Sequence, residues 1–334
     1  MKKILALVLT LVLGMSILAG CNRSSEPSAA PDPAEDTATV ESAEPAPTEE
    51  SGGYTIGFSP PTMNNPFFAW IESNVRKEVE GRGDTLITVD PQNDPQKQIS
   101  MVEDLLTQNI DLLLLCPRDS ASIKAALVAC TDKNVPVVIF DTEVLDPEYV
   151  VTSVVSDNVN AGYVVGIDMK EKLPEGSKVA ILHSPAAQTC VQRVEGFKNA
   201  VGDYFELVAE LDGEGDTGVT MPVAEDILQG NPDLDAFFAI NDPSAIGCVQ
   251  ALQSANKTDQ VMVYGVDGAP EAKAAISEGL MEGSGAQSPA NIGSISVEYA
   301  YKHLAGETVE ELVYVPTFII NKENIGEFNV EGWQ

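Results

Sequence analysis

Asn64-Asn65-Pro66-Phe67-Phe68 sets two amides beside two flat apolar rings. Such a group suits a polyol, whose C–H face the rings cover and whose hydroxyls the amides pair. Other polar groups recur where short apolar runs stop: Asp90, Asp141, Ser156-Asp157-Asn158, Asn241-Asp242, Asp267 and Gln287. If those runs are strands, their ends converge on sheet edges, where open α/β sheets take ligands. Asp and Asn are equally the residues that cap helices. Capping is expected of Asp157 and Asp242, and ligand contact of Asp141, Asn241 and Asp267. The pentapeptide admits both readings, because Asn64 or Asn65 can cap a helix opening at Pro66 with both phenylalanines in its core.

Other chemistries have weaker support. Gly213-Glu214-Gly215-Asp216-Thr217-Gly218 satisfies GxGxxG, but Glu214 and Asp216 would set negative charge against a pyrophosphate. The same acids resemble the start of a calcium loop whose twelfth position is Val223 instead of glutamate. A flexible loop at a cleft edge is the expectation. His183 and His303 are the two histidines, and no serine or cysteine sits in a triad context. His183 ends a strand near the cleft and His303 is expected in solvent. The spaced Cys116, Cys130, Cys190 and Cys248 form no metal-ligand pattern and are expected to be buried free thiols.

The elements that must position these residues are short strands alternating with amphipathic helices. Strands are expected at 54–59, 85–90, 111–116, 136–141, 151–156, 178–183, 206–211, 236–240, 261–266 and 281–286. Runs such as Leu112-Leu113-Leu114-Leu115 and Val137-Val138-Ile139-Phe140 are apolar on both faces, as in a parallel sheet covered by helices. Ile71, Val75 and Val79 recur at helical spacing after Trp70, as do Ile99, Val102, Leu105 and Leu106 in the next unit. Further helices are expected at 120–133, 158–172, 191–202, 219–229, 243–254, 270–279 and 290–304. This alternation implies doubly wound α/β units, and the length suits two of them.

The amino-terminal region differs. Residues 1–20 read as a signal peptide, with Lys2 and Lys3 ahead of an apolar stretch. Leu18-Ala19-Gly20-Cys21 resembles a bacterial lipobox, which is cut before a cysteine that then carries a diacylglyceryl group. Residues 21–53 are expected to be a disordered acidic tether, rich in proline and without an apolar period. A lipid plus a tether means anchored to a membrane instead of spanning it, and no other apolar run is long enough to cross. The chain has 19 basic and 51 acidic residues, a net charge of −32, which argues against nucleic acid and anionic lipid surfaces as partners.

With the lipobox, tether and paired α/β pattern, the chain resembles the ribose-type periplasmic binding proteins, the solute receptors of ABC sugar importers. The resemblance covers about 54–325. It is carried by Asn64-Asn65-Pro66-Phe67-Phe68, Val138-Ile139-Phe140-Asp141, Ser156-Asp157-Asn158, Arg193-Val194-Glu195-Gly196-Phe197, Phe238-Ala239-Ile240-Asn241-Asp242, Gly265-Val266-Asp267-Gly268 and Gln287. It implies two doubly wound parallel-sheet lobes joined by a three-strand hinge, 54–156 plus 288–316 and 157–287 plus 317–334. It implies a sugar held between them by Asn65, Phe67, Phe68 and Asp141 from the first lobe, Arg193, Asn241 and Asp267 from the second, and Gln287 at a crossing. Without the resemblance, Arg193 reads as a surface residue of an amphipathic helix. Thr142 stands where ribose receptors carry arginine, and Gly215 where they carry an aromatic ring. Asp141-Thr142 looks more like the fructose-type receptors. Trp70, Glu143 or Gln188 are candidates for replacement contacts, Trp70 otherwise packing on its helix.

The expected function is therefore a monomeric, lipid-anchored receptor that binds a pentose or hexose and hands it to an ABC permease. No cofactor, metal, nucleic acid or catalysis is implied. Alternatives are a sugar sensor addressing a membrane kinase or chemoreceptor, and a receptor for a related polyol or nucleoside. A sugar-responsive repressor is excluded by the lipobox and the lack of a basic DNA-binding head, and a secreted enzyme would show turnover. Arg193→Ala or Asp267→Ala is expected to weaken binding severely and leave the fold intact.

Overall fold

The computed structural model describes residues 53–334. The signal peptide, Cys21 and the tether up to residue 52 lie outside the described residues. The chain runs β1 (Thr55–Ser59), α1 (Pro66–Gly81), β2 (Thr85–Thr88), α2 (Pro95–Thr107), β3 (Leu112–Leu115), α3 (Lys124–Asp132), β4 (Val137–Phe140) and β5 (Thr152–Ser156). It continues α4 (Asn158–Lys172), β6 (Lys178–His183), α5 (Gln188–Val201), β7 (Glu206–Asp212), α6 (Thr217–Gly230), β8 (Ala236–Ala239) and α7 (Asp242–Ala255). It ends β9 (Met262–Asp267), α8 (Pro270–Glu278), β10 (Gly283–Ala286), α9 (Pro289–Leu304), β11 (Leu312–Val315) and β12 (Phe318–Asn321).

Two sheets form, ordered β11-β5-β4-β3-β1-β2 and β12-β10-β9-β8-β6-β7. Every strand pairing is parallel except β10 with β12. Period-two alternation explains the continuous apolar runs. Leu112 and Leu114 join the core under α1 and α9, while Leu113 and Leu115 join the opposite core under α2 and α3. Val179 and Ile181 are likewise divided from Ala180 and Leu182 in the second sheet. Each sheet is thus buried on both faces, and these are two α/β lobes.

The ten expected strands are present. The sequence reading omits β11 and β12, four-residue edge strands on either side of Pro316-Thr317 that are too short and too exposed to carry a strong period. Helix α3 starts later than expected, because Asp119 accepts from the Ala121 and Ser122 N–H groups and holds a separate turn there. Helix α5 starts earlier and so carries Thr189 and Cys190. The chain passes between sheets three times: from β5 to α4, from β10 to α9, and from β11 to β12. Asn160 Nδ2 and Thr317 Oγ1 tie two of these passages together, Thr317 donating to the Asp157 carbonyl.

Helices α4 and α5 meet backbone to backbone. A Cβ on Gly162 would lie 1.9 Å from the Arg193 carbonyl oxygen, and one on Gly196 would lie 1.9 Å from that of Val159. No other residue type permits this approach.

Cys116, Cys130, Cys190 and Cys248 are free and buried. Burial pushes the Cys130 thiol up to about 12 and that of Cys190 to about 11, far from the reactive thiolate. A thiol reagent at neutral pH should therefore label none of the four in the folded protein and all of them in denaturant. Rapid native labelling would contradict this packing.

Candidate functional site

The carboxyl ends of both sheets face one cleft, which encloses a cavity of about 380 Å³. Asn65, Phe67, Phe68, Asp141, Thr142, Arg193, Asn241, Asp267 and Gln287 all line it. The first lobe contributes a ring wall. Asn65 Oδ1 accepts the Phe67 N–H at 2.9 Å and caps α1, with Pro66 at its first position. Asp90 accepts the Met63 N–H and braces the loop leading there. Phe67 is buried, edge-on to Phe68 at 5.4 Å and to Trp333 at 5.6 Å, which leaves Phe68 as the more open ring.

Asp141 follows β4 with φ +63°, a left-handed conformation that costs a non-glycine residue of order 1–3 kcal/mol. The strain aims its carboxylate inward. Oδ2 accepts from Thr142 Oγ1 at 2.9 Å and is approached by Cys116 Sγ at 3.7 Å, while Oδ1 is buried without a protein partner. Burial raises its pKa, and the Arg193 guanidinium pulls it down.

The second lobe supplies a tighter network. Arg193 is buried, not a surface residue of α5. Its Nε donates to Asn158 Oδ1 at 2.9 Å, and one terminal nitrogen donates to the Ile240 carbonyl at 2.8 Å and lies 3.4 Å from Asp267 Oδ1. Gln287 Nε2 donates to the same Asp267 oxygen at 2.7 Å, leaving Gln287 Oε1 buried without a partner. Burial pushes Asp267 up to about 8, against the pull of Arg193.

One capping expectation changes, and one residue expected to contact ligand is a cap. Asp157 caps α4 as expected, accepting the Asn160 N–H. Asp242 does not cap its own helix. Its carboxylate turns sideways, accepts from Ser284 Oγ and the Ala269 N–H at 2.7 Å each, and is pushed up to about 6 by burial. Asn241, expected to contact ligand, is itself the cap of α7: Oδ1 accepts the Ser244 N–H and Nδ2 donates to the Gly215 carbonyl. Its second N–H and second lone pair remain for the cavity.

Residues 56–308 match the periplasmic binding protein domain. The chain belongs to the periplasmic binding protein family. It is 36% identical over 317 residues to ribose import binding protein RbsB of Bacillus subtilis (strain 168), covering 95% of this chain and 98% of that one. The corresponding protein of Escherichia coli (strain K12) is 35% identical over 271 residues, 80% of this chain and 91% of that one. An ABC transporter solute-binding protein from Mycobacterium smegmatis, solved with bound glycerol, superposes with a TM-score of 0.78 at 30% identity, covering 83% of this chain and 96% of the other. One from Bacillus halodurans C-125, solved with bound myo-inositol, gives 0.79 at 26% identity, covering 85% and 100%. This is a family of binding proteins, not of enzymes.

Within this periplasmic binding protein, three suggested replacement contacts lie elsewhere. Trp70 is 42% exposed, on the solvent face of α1 opposite Ile71, Val75 and Val79. Glu143 and Gln188 bond across the lobes beside the cavity. Gln192 Nε2 donates to Glu143 Oε1 at 3.0 Å, the Gln188 N–H donates to Ser120 Oγ at 3.0 Å, and the Ser120 N–H donates to the Ala186 carbonyl at 3.0 Å. Thr142 Oγ1 also meets Thr189 Oγ1 at 2.6 Å. Since Thr142 donates to Asp141, Thr189 donates to Thr142. The direct seam between lobes is therefore continuous with the cavity wall.

The loop 213–218 lies at the cavity edge, where Asp216 caps α6. Among the described residues no acidic, histidine and cysteine cluster suits a metal ion. His183 is half-buried outside the cavity lining, its pKa lowered by burial. Sequence reading misses Arg118, Thr189 and Trp333. Arg118 follows β3 by the same strand-end rule that finds Asp141, but β3 is followed directly by Cys116-Pro117 instead of an acid or amide. Trp333 comes from the far end of the chain, and no local pattern places it beside Phe67.

Proposed function

We propose that this chain is an extracytoplasmic receptor that binds one monosaccharide, a pentose or hexose, between its lobes and delivers it to an ABC permease. The observation that carries the reading is the pair of buried acceptors, Asp141 Oδ1 and Gln287 Oε1, set in one cavity with the Phe68 ring. Buried acceptors without donors are costly, and sugar hydroxyls are donors that arrive with a C–H face for the ring. Ligand contacts to both lobes favour the closed arrangement by their differential affinity. The named relatives are ribose import proteins, but Thr142 and Gly215 leave room for a larger sugar, a ketose such as fructose included. Cys21 is the proposed lipid anchor, and the receptor acts as a monomer.

A cyclic polyol is the second reading. It offers hydroxyl donors around a whole ring, and the Bacillus halodurans relative was solved with myo-inositol.

A thermal-shift screen of the purified protein against pentoses, hexoses, ketoses, cyclic polyols and nucleosides tests both. A binder at about a hundred times its Kd should add about 2.7 kcal/mol, a rise of several degrees in Tm. A response to an amino acid or peptide with none to any sugar or polyol would overturn the reading.

A further inference from the structure

Arg118 lines the same cavity from the first lobe, at the carboxyl end of β3. Its backbone is held firmly. The Arg118 N–H donates to Gln98 Oε1 at 2.8 Å, and Gln98 Nε2 donates to the Cys116 carbonyl at 2.9 Å and to the ends of β1. Gln98 is fully buried, so this bracket fixes where the arginine side chain starts.

The guanidinium itself is not committed. Its Nε is buried without a protein partner, and the side chain is 12% exposed. The nearest carboxylate is Glu214 across the cleft, 3.9 Å away and 57% exposed, beyond hydrogen-bond reach. Arg193, the other guanidinium of the cavity, already spends Nε and one terminal nitrogen on Asn158, Ile240 and Asp267. Thr142 offers no cation, and its hydroxyl is engaged by Asp141 and Thr189. Arg118 is thus the cavity's uncommitted fork of donors, lining the same cavity as the two uncommitted acceptors Asp141 Oδ1 and Gln287 Oε1.

We infer that Arg118 is a specificity-determining residue, donating its planar N–H fork to two adjacent oxygens of the bound sugar. A guanidinium matches paired oxygens in one plane, which lysine cannot reproduce. The ligand class that fits is a sugar whose end toward the cleft mouth carries vicinal oxygens; a sugar deoxygenated there loses the fork's second bond. This inference rests on the sugar-receptor reading and adds the group that ranks sugars within it.

The test compares wild type, Arg118→Met, Arg118→Lys and Glu214→Gln by calorimetric titration with the sugar found in the screen and its monodeoxy analogues. A charged hydrogen-bonding group is expected to contribute about tenfold to a hundredfold in Kd. Arg118→Met and Arg118→Lys should both lose affinity on that scale. Glu214→Gln should change it by less than about threefold, as for an exposed ion pair. One deoxy sugar should bind Arg118→Met no more weakly than it binds wild type. The unliganded melting temperature of Arg118→Met should match wild type, since no protein hydrogen bond of the side chain is removed. Unchanged sugar affinity in Arg118→Met overturns the inference. Equal losses in Arg118→Met and Glu214→Gln overturn it in favour of a bridge between the lobes. If wild type binds no sugar, the receptor reading fails first and this inference falls with it.

Discussion

Arg193→Ala is expected to destabilise the protein by about 3–5 kcal/mol and to abolish ligand binding, the first effect being measurable without any ligand. The side chain is 5% exposed, and it satisfies Asn158, the Ile240 carbonyl and Asp267 together. Removing it leaves a buried carboxylate beside Asp242 with no cation in contact. Asp267 can respond by holding its proton more firmly, because burial already favours the neutral form. That response limits the loss; it does not restore the bonds to Asn158 and Ile240. Arg193→Ala combined with Asp267→Ala should therefore cost less than the two single losses added together. Urea unfolding of the four proteins measures this directly. A single variant within about 0.5 kcal/mol of wild type would show that the guanidinium is held for the ligand alone. The sequence-based expectation of an intact fold after this substitution is revised accordingly: the residue that lines the cavity also joins α4, α5 and the ends of β8 and β9.

The second large effect is expected at the contact between α4 and α5. Gly162→Ala would set a Cβ 1.9 Å from the Arg193 carbonyl oxygen and 2.7 Å from its carbonyl carbon. Backbone atoms cannot rotate away, so the helices must part, at a cost at or above the roughly 1–3 kcal/mol of ordinary overpacking. Gly196→Ala meets the reciprocal clash and should behave alike. Gly166→Ala, whose nearest neighbour is the Ala200 side chain at 2.7 Å, should be milder. Gly81→Ala at the end of α1 meets nothing within 4 Å and should be neutral or slightly stabilising. Because the obstructed carbonyl belongs to Arg193, Gly162→Ala should also weaken ligand binding by displacing that guanidinium. Equal unfolding midpoints for Gly162→Ala and Gly81→Ala would refute the close approach.

The strong periods in the chain explain how much of this was readable. Leu112–Leu115 and Val137–Phe140 announce strands covered on both sides, and the turns after them carry the polar residues that the structure gathers into one cavity. Local sequence does not say which way a polar side chain turns. Asp242 sits where a helix would welcome an acid, yet it serves the neighbouring Ser284 and Ala269. Asn241 and Asp157 occupy equivalent strand-to-helix turns and both cap. Trp70 follows Phe67 and Phe68 closely, but the turn of about 100° between it and Ile71 is enough to move it off the buried stripe of α1 and into solvent. Trp333 and the seam between Ser120, Glu143 and the start of α5 depend on contacts between lobes, which no window along the chain contains.

That seam separates two properties of a receptor that are often treated as one. Ser120, Thr142 and Glu143 bond Ala186, Gln188, Thr189 and Gln192 without help from any ligand atom. If the lobes open, these bonds bias how often the empty protein visits the closed arrangement, and apparent affinity scales with that fraction. A change at Glu143 or Gln192 then multiplies the Kd of every ligand by one common factor. The cavity ranks the ligands, and the seam sets the concentration at which the whole ranking applies.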